Sequence, residues 1–527
     1  MRSGFAMAAV AVLAGAASAQ LTQQWATRYT SAGNIADETR GVAVDGAGNV
    51  ILVGNGRGPT STNTDSVIVK FGPDGSQQWV RAIGGAANGT DASVSVAVDA
   101  AGNIFVGGYV LNNGTSISSR DAFVAKYSSD GNQDWIRTFD FYGREEQPGV
   151  VRVTPDGQHV YLGGYVKVGT GAFDWEWFVI KWDGLGNNEW NRVWDGPAGP
   201  GQSDQADAGV IDANGNFYMT GSSANTSTSF DTDAAVVGWQ PDGTQFYTAR
   251  WNGELNAGDR GNAIAVDATG VYIAVTANNT ASPANTDFAL VKFDSTGAVV
   301  WERVYDAAGL NDAGLGVTLS GGNVYVGGVT RTASTDADMT VRRYNTSGDL
   351  AWTATWNRSA VNGTDSFRNM ALLGDRVVML GTSNNVIGGS FGIREDIATV
   401  VVDANSGAVA GAVLYDGAAA RGDFSWDVVA DAARNRVVVG GHSSGGTTSN
   451  YDMLAVAYTP APVCGTADYN GDGDIGTDQD IEAFFACLGG NCCPTCFAGG
   501  ADFNADGDIG TDQDIESFFR VLGGGPC

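Results

Sequence analysis

The chain repeats one unit of about 55 residues eight times between Leu21 and Pro460, and a long period of this kind is typical of propellers and solenoids. Each unit is predicted to form four short strands, named A to D here. The turns after strands A and C contain the Gly, Asn, Pro and Asp residues that tight hairpins need. In the first copy the strands are predicted at Val42–Asp45, Val50–Gly54, Asp65–Phe71 and Gln77–Ile83.

Strand C begins with an acidic residue in every copy. Side chains of this type often cap a nearby loop by accepting hydrogen bonds from backbone N–H groups, and we expect that role here. A ring of carboxylates that binds cations is the alternative. The eight acids are Asp65, Asp121, Glu176, Asp233, Asp287, Asp338, Asp396 and Asp452.

The eighth copy lacks a strand D, because the chain leaves the repeat at Thr459 and Pro460. The missing strand is expected at the other end of the repeat region, where Gln23–Arg28 (QQWATR) resembles Gln77–Ala82 (QQWVRA). Pairing this segment with the last three strands would close a ring and remove an exposed sheet edge. The sequence therefore predicts an all-β fold, a closed β-propeller of eight four-stranded blades. Seven blades is the alternative if one weak copy is misread.

The repeat resembles the bacterial SBBP-type β-propeller repeat family. The pattern that carries the resemblance is VAVD-x-x-GN-VxVxG, then D-x-x-V-x-K-[FY] and a later Trp, and it extends over the repeat region. The resemblance implies a propeller fold and extracellular use, and it brings no catalytic residues. The family is usually drawn with seven blades, so eight is a departure.

Residues 1–19 are predicted to be a secretory signal peptide. Arg2 provides a positive start, an apolar stretch runs from Phe5 to Ala16, and Ala17-Ser18-Ala19 offers the small residues that a signal peptidase needs. A membrane anchor is the alternative, but about 12 apolar residues are too few for a helix to cross a hydrocarbon layer about 30 Å thick. We therefore expect a secreted, extracellular protein without membrane insertion, with the propeller at 20–460. Attachment to the cell surface stays open.

The composition argues against several functions. The formal net charge is −29, so nucleic acid and anionic membranes are unlikely partners. Only two histidines exist, His159 and His442, which disfavours His-rich zinc sites and most His-based catalysis. No catalytic residues are assigned.

A ligand site is expected on the propeller face that carries the long B–C loops, because variable loops usually hold such sites. In the third copy, Trp175 and Trp177 lie at the edge of one of these loops and are candidates for stacking on sugar rings. Ordinary packing within the blade is the alternative. The expected ligand is a polysaccharide or an extracellular protein.

The C-terminal tail after the repeat region is predicted to be a separate domain. A linker is predicted at 461–466 and the domain at 467–527. Two near-identical copies lie 34 residues apart, and each has oxygen-bearing side chains at the spacing of a calcium loop. Oxygen ligands favour a hard divalent cation, and calcium suits this flexible geometry better than magnesium. The sequence therefore predicts two Ca²⁺ ions. The ligands in the first part of the loops are Asp468, Asn470, Asp472, Asp474, Asp502, Asn504, Asp506 and Asp508.

The end of each loop departs from the usual calcium-loop pattern. The twelfth position is Gln479 or Gln513, where a carboxylate is expected. Aligning the helix that follows makes Asp480 and Asp514 the closing ligands of a loop that is one residue longer. The alternatives are Asp478 and Asp512.

A duplicated calcium loop with one helix after each copy resembles a dockerin, and GDIGTDQDIEAFFACLGG is similar to the form called the GC-type dockerin. The resemblance implies EF-hand-like calcium binding and a cohesin-like receptor. Dockerins often contact cohesins through loop positions 10 and 11, although the inserted residue places that correspondence in doubt. The residues at these positions are Thr477, Asp478, Thr511 and Asp512.

The tail also holds all six cysteines, which are Cys464, Cys487, Cys492, Cys493, Cys496 and Cys527. In an exported domain they indicate three disulfides, with 15 pairings open. A four-thiolate zinc site that uses Cys492, Cys493 and Cys496 is the alternative.

Two functions follow from these expectations. The first is a secreted binding or structural protein that a calcium-dependent, dockerin-like tail tethers to a surface or scaffold. The alternative is an extracellular polysaccharide-degrading enzyme with the same anchor. Whether the chain is an enzyme stays open, with the scarcity of His arguing against it.

Overall fold

The computed structural model describes residues 21–31, 36–58, 63–87, 89–112, 120–169, 171, 174–199, 201–225, 231–253, 257–278, 285–333, 336–358, 363–386, 393–417, 422–444, 450–460, 467–470, 472, 474, 476–493, 500–503 and 509–523. The predicted signal peptide and linker lie outside these residues. The chain divides into two compact units. One is Gln23–Thr459, and the other contains the tail from Pro460 to Cys527.

The first unit is a ring of eight antiparallel four-stranded blades, as the repeat predicts. Blade 1 contains β2 (Glu38–Val44), β3 (Val50–Arg57), β4 (Thr64–Phe71) and β5 (Gln77–Ile83). Blade 2 contains β6 (Ala92–Val98), β7 (Ile104–Leu111), β8 (Arg120–Tyr127) and β9 (Gln133–Phe139). Blade 3 contains β10 (Glu146–Val153), β11 (His159–Lys167), β12 (Trp175–Asp183) and β13 (Asn188–Trp194). Blade 4 contains β14 (Gln205–Ile211), β15 (Phe217–Ala224), β16 (Thr232–Trp239) and β17 (Gln245–Trp251).

The second half of the ring follows the same order. Blade 5 contains β18 (Arg260–Asp267), β19 (Gly270–Asn278), β20 (Thr286–Phe293) and β21 (Val299–Tyr305). Blade 6 contains β22 (Ala313–Ser320), β23 (Asn323–Ala333), β24 (Asp336–Asn345) and β25 (Leu350–Trp356). Blade 7 contains β26 (Asp365–Leu373), β27 (Arg376–Val386), β28 (Ile393–Asp403) and β29 (Val409–Tyr415). Blade 8 contains β30 (Asp423–Asp431), β31 (Arg436–Ser444), β32 (Tyr451–Pro460) and β1 (Leu21–Tyr29).

The N-terminal strand closes the ring. Blade 8 has the strand order β1-β32-β31-β30, so β1 occupies the position that strand D holds in the other blades. This confirms the closure inferred from the QQW segments. Strand A of blade 1 was predicted to begin at Val42, but β2 begins at Glu38. A bulge in β2 breaks the alternation of side chains on which the prediction depended.

Neighbouring blades are joined by aromatic residues of strand D. The indole N–H of Trp79 donates a hydrogen bond to the Ser129 carbonyl in the C–D turn of the next blade, at 3.2 Å. Gly131 in that turn has a φ of +79°, and a Cβ there would lie 2.8 Å from the Trp79 ring. The turn therefore needs glycine both for its conformation and for the close approach of the indole. Equivalent indole bonds are made by Trp25, Trp135, Trp190, Trp301 and Trp352.

Two helices and an aromatic core form the described part of the tail. They are α1 (Asp478–Leu488) and α2 (Asp512–Leu522). The rings of Phe484 and Phe518 stack at 4.1 Å between centroids, and Tyr469 and Phe503 are fully buried beside them. No helix in the described residues is long and apolar enough to cross a membrane.

Candidate functional site

The most prominent feature on the propeller axis is a polar pocket of about 540 Å³. The innermost strands of seven blades line it, namely β2, β6, β10, β14, β18, β26 and β30. The lining residues lie near the middle of these strands, and Arg152 lies closer to the A–B turn.

A β-bulge in the inner strands supplies one lining residue from each of the seven blades. In blade 1, Thr39 pairs with Gly54 and Gly41 pairs with Val53, so Arg40 is the extra residue. A bulge interrupts the alternation of side chains and re-aims one of them, and bulges are common beside functional sites. All the bulge residues except Leu315 line the pocket. In blade order they are Arg40, Val94, Gly149, Asp207, Asn262, Leu315, Arg368 and Trp426.

Blades 7, 8 and 1 present an Arg–Trp–Arg group to the pocket. The guanidinium carbon of Arg368 lies 4.1 Å from the Trp426 ring centroid, and that of Arg40 lies 5.5 Å from it. Arg40 also pairs with Glu38 at 3.1 Å, whereas Arg368 forms no ion pair with any described residue. The pocket walls reduce the hydration of Arg368, and together with the positive charge of Arg40 they lower its pKa. Arginine nevertheless stays charged in such surroundings.

Further charges lie around the same axis. Burial lowers the pKa of Arg152, while the negative charge of Asp427 acts in the opposite direction. Burial raises the pKa of Asp427, which accepts a hydrogen bond from Asn369 Nδ2 at 2.6 Å. Asp207 is paired with Arg260, whose Nε lies 2.7 Å from Asp207 Oδ2. The pocket thus combines guanidinium groups without full partners and an aromatic ring in a protein that is acidic overall.

A second pocket of about 490 Å³ shares Arg368 and Trp426 with the first. His442 lines it and packs in a cluster with the rings of Phe424 and Tyr451, at 5.3 and 5.2 Å between centroids. Burial lowers the pKa of His442 to about 4; the charge of Glu38 acts in the opposite direction, and those of Arg40 and Arg368 add to the lowering. The imidazole is therefore neutral at physiological pH.

The two predicted sugar-stacking residues have different surroundings. Trp177 is 0% exposed, and its ring packs at 4.9 Å from that of Trp194, so no ring face is free for a ligand. Trp177 therefore packs within the blade, which was the alternative to ligand contact. Trp175 is partly exposed and lies against Tyr165 and Lys167. A ligand contact at Trp175 stays a prediction.

Three of the acids that begin strand C make side-chain contacts, and backbone capping by this column stays a prediction. Asp121 accepts a hydrogen bond from Asn112 Nδ2 at 2.7 Å, and Asp233 pairs with Arg250 at 3.1 Å. Asp396 pairs with Arg358.

A second acidic column, which was not among the predictions, caps backbone N–H groups in every blade. Asp91 Oδ2 accepts the Gly85 N–H of the preceding D–A loop, and Oδ1 accepts the Leu111 N–H of strand B, both at 2.7 Å. Every blade has an acid at this position that caps a D–A loop N–H. The signal in the sequence is an acid just before each strand A. The column comprises Asp37, Asp91, Glu146, Asp204, Asp259, Asp312, Asp365 and Asp423.

In the tail, the described residues of the first loop bring oxygen atoms together. The N–H of Asp472 donates to Asp468 Oδ1 at 3.1 Å and to Asn470 Oδ1 at 2.9 Å, so these two oxygens lie on one side of the loop. The Asp474 N–H donates to Asp472 Oδ1 at 2.9 Å. An all-oxygen donor set of this kind fits a calcium ion. In the second loop Asp502 is described, whereas Asn504, Asp506 and Asp508 lie outside the described residues.

The predicted closing ligands are buried at the helix starts. Asp480 Oδ2 accepts the Thr477 N–H at 2.8 Å, and its Oδ1 accepts the Asn470 N–H at 3.2 Å, so the carboxylate faces the loop. Asp514 makes the same capping contact with Thr511. Burial alone would raise the pKa of Asp480, but these hydrogen bonds lower it.

The predicted partner-binding residues lie at the same two helix ends. Thr477 and Thr511 are the N-caps of α1 and α2, and Asp478 and Asp512 are the exposed first residues of the helices. Their contact with a receptor stays a prediction.

One disulfide joins two of the described cysteines, Cys487 and Cys492, and Cys493 is also disulfide-bonded. Neither Cys492 nor Cys493 therefore offers a thiolate to zinc, which removes the zinc alternative. Cys464, Cys496 and Cys527 lie outside the described residues.

No family model and no curated protein matches the chain. Solved structures similar to it include the β-propeller domain of the Trilobed protease from Pyrococcus furiosus, with 8% identity and a TM-score of 0.40, covering 69% of this chain and 94% of that one. The polysaccharide lyase Uly1 has 10% identity and a TM-score of 0.40, with 69% and 89% covered. The periplasmic gluconolactonase PpgL of Pseudomonas aeruginosa has 14% identity and a TM-score of 0.33, with 60% and 84% covered. These similarities are too low to carry a function from those proteins to this chain.

Proposed function

We propose that this protein is an exported binding protein whose propeller recognises a negatively charged polysaccharide at the axial pocket. The tail then tethers the propeller to a surface or scaffold through a calcium-dependent, dockerin-like module that binds a cohesin-like receptor. The propeller belongs to the SBBP type in this proposal, on the strength of the repeat pattern.

The Arg–Trp–Arg group carries the proposal. Arg40 and Arg368 offer planar guanidinium groups that match the geometry of a carboxylate, and Trp426 offers a flat apolar ring between them. A sugar that bears a carboxylate, such as a uronic acid, presents both a charge and an apolar ring face to such a group. Because the rest of the chain is strongly acidic, these arginines would also select against ligands that bind by positive charge.

Export and anchoring are supported by sequence and by disulfide chemistry. The leader-like residues 1–19 predict export, and disulfides such as Cys487–Cys492 persist in oxidising compartments. In the tail, Asp468, Asn470 and Asp472 would hold the calcium ion of the first loop. The bound ion would neutralise the crowded carboxylates and so stabilise a domain with a small core.

An enzyme that degrades an acidic polysaccharide is the second candidate, and His442 is the observation that raises it. This neutral imidazole lines a pocket that shares Arg368 with the axial pocket. A catalytic base would need such a place, close to an arginine that binds the carboxylate of the substrate. However, a pKa of about 4 makes His442 a weak base at neutral pH. Binding without chemistry is therefore the better-supported function.

The test is retention of the full chain on a panel of acidic and neutral polysaccharides. We expect retention on one acidic polymer, weakened at least about tenfold by Arg368→Ala, because a charge-assisted pair contributes about 1.5–3 kcal/mol. The charge-matched control is Arg376→Ala, which removes an arginine from a strand B on the short-turn side. Retention on neutral polymers alone, or retention that Arg368→Ala leaves unchanged, would refute the axial site. Loss on Trp175→Ala instead would move the site to the loop edge, and release of unsaturated or reducing ends would favour the enzyme.

A further inference from the structure

Three carboxyl groups from consecutive elements meet beside blade 3, at the end where its long loops lie. They belong to Glu176 in β12, Asp195 just after β13, and Asp204 just before β14. One oxygen from each lies within 4.8 Å of the others. The cluster therefore contains one acid that begins a strand C, Glu176, and one inner capping acid, Asp204. The third acid, Asp195, lies in the D–A connection.

Glu176 provides an observation that crowding of acids alone does not. The residue is 3% exposed, and its Oε2 is buried and accepts no hydrogen bond from any described residue. A buried carboxylate oxygen without a donor is costly, so such groups normally have a proton, a donor or a cation as partner. The carboxyl group that bears this oxygen is one of the three in the cluster with Asp195 and Asp204.

In two other blades an arginine pairs with the acid at the same repeat position. In blade 7 the corresponding cluster is Asp396, Asp416 and Asp423, and Arg358 pairs with Asp396. In blade 4, Asn252 replaces the middle acid, and Arg250 pairs with Asp233.

Blade 3 lacks such a partner among the described residues. The Arg250 guanidinium acts on Asp204 and reaches Ser223, but it is already paired with Asp233. A fourth acid, Asp174, adds negative charge beside Glu176. Burial, followed by the charges of Asp195, Asp204 and Asp174, raises the pKa of Glu176 to about 8. Arg250 compensates part of the charge of Asp204, so the cluster combines crowded acids with only partial compensation among the described residues.

We propose that Glu176, Asp195 and Asp204 bind a calcium ion within the propeller, separate from the calcium loops of the tail. Carboxylate oxygens within 4.8 Å of one another can each lie 2.3–2.6 Å from one central ion, which is the calcium–oxygen distance. Asp204 accepts hydrogen bonds from the Gly196 and Ala224 N–H groups, which hold its carboxylate in place. Asp195 is exposed, so water completes the coordination, and this irregular, partly hydrated geometry suits calcium better than magnesium.

Blade 2 repeats the arrangement. Asp121, Asp140 and Glu146 bring their oxygens within the same distance of one another. Glu146 is 0% exposed, and its Oε2 also accepts no hydrogen bond from the described residues. Asp121 differs in receiving a hydrogen bond from Asn112, which uses part of its capacity. The blade 3 cluster is therefore the stronger site, and the blade 2 cluster is its weaker counterpart.

Tryptophan-sensitised terbium luminescence of the full chain tests the site, with Tb³⁺ as the probe and Ca²⁺ as the competitor. All 14 tryptophans lie at or before Trp426, so the tail contains none, while Trp175 and Trp194 are chain neighbours of Glu176 and Asp195. We expect a sensitised signal that Ca²⁺ displaces. Glu176→Gln should weaken Tb³⁺ binding at this site by at least about tenfold, since even outer-shell changes cost that much. The matched control is Asp233→Asn, at the same repeat position where an arginine takes the place of the ion.

The controls separate this site from the tail and from misfolding. A double variant of the tail loops, Asp468→Ala with Asp502→Ala, should keep the sensitised signal, and that result would not depend on the proposed function. Asp195→Asn changes an exposed member of the cluster and should reproduce the loss seen for Glu176→Gln. In chelator, Glu176→Gln should melt no lower than the unmodified chain, whereas Ca²⁺ should raise the Tm of the unmodified chain more than that of the variant. A signal unchanged by Glu176→Gln and Asp195→Asn, or one lost only in the tail variant, would overturn the proposal.

Discussion

Replacing Trp25 by alanine probes the contact at which the ring closes. Trp25 lies in β1, and its indole N–H donates to the Pro73 carbonyl in the C–D turn of blade 1 at 2.9 Å. Its ring also lies against Gly75, where a Cβ would be 2.8 Å away. The joint between blades 8 and 1 is thus built in the same way as the other joints, and β1 links it to the end of the repeat region by pairing with β32.

The expected loss follows from burial and hydrogen bonding. Truncating a fully buried Trp to Ala costs about 3–5 kcal/mol, and Trp25 is half-buried, so we expect about 2 kcal/mol from packing. The lost hydrogen bond contributes about 1 kcal/mol more. With an unfolding entropy of about 2.1 cal/mol/K per residue over about 440 residues, a loss of about 3 kcal/mol lowers the Tm by about 3 °C.

Trp79→Ala is the matched control, because Trp79 is equally half-buried and makes the same contact between blades 1 and 2. Differential scanning calorimetry should show a similar fall in Tm for both variants. Hydrogen exchange should then separate them, with faster exchange of the β32 amides in Trp25→Ala only, because β1 pairs with β32. If Trp25→Ala melted like the unmodified chain while Trp79→Ala lost about 3 °C, β1 would not be the strand that closes the ring.

Three further predictions follow from the carboxylates. Asp91→Ala should leave the Gly85 and Leu111 N–H groups without their acceptor and lower the free energy of unfolding in urea by about 2–6 kcal/mol. Asp91→Asn should lower it by less, and equal losses for the two variants would contradict the capping role. Burial raises the pKa of Asp91 to about 6 and that of Asp259 to about 7, from the usual aspartate value of 3.8. The folded state therefore binds these protons more tightly, and in chelator the free energy of unfolding should fall by several kcal/mol as pH rises from about 4 to 7; a urea midpoint that rises with pH would refute this. Chelator should also open the tail to protease beyond Pro460 while the propeller stays intact, and equal resistance with and without calcium would refute calcium-dependent folding of the tail.

The sequence was informative wherever the same physical need recurs in every blade. Strand D of blade 1 was predicted at Gln77–Ile83, which are its bounds in the structure, because a Trp that joins two blades and a Gly that receives it recur at fixed spacing. The closing strand could be recognised for the same reason, since it must meet the same turn as its counterparts. Repetition therefore made the blades, their number and their closure predictable.

The axial pocket was not predictable by the same reasoning. The bulge residue of each inner strand leaves the β ladder, so neither strand alternation nor turn chemistry constrains it, and it differs from blade to blade. Arg40 and Trp426 are far apart in the sequence, and only ring closure places blades 1 and 8 side by side. Trp177 was a candidate for ligand contact because it lies beside a loop in the sequence, but the strand turns it into the core, as the alternative of blade packing expects.

In a fold that repeats one backbone eight times, the blades differ at the positions where the sequence departs from the repeat. The strand-C acid and the inner capping acid are Asp in most blades, and blade 3 alone has Glu at both positions, as Glu146 and Glu176. In both glutamates the buried Oε2 has no donor among the described residues, and at equivalent positions one buried oxygen of Asp233 and of Asp423 also lacks one. Arg250 and Arg358 break the pattern in the other direction by bringing a positive charge to the same place. Since all these changes occur on a common backbone, exchanging them between blades should transfer cation binding with them: Arg358→Ala together with Asp396→Glu should create a terbium site in blade 7. If that double variant folds and gains no ion, the acids alone do not define the site, and the loop conformation particular to blade 3 must contribute.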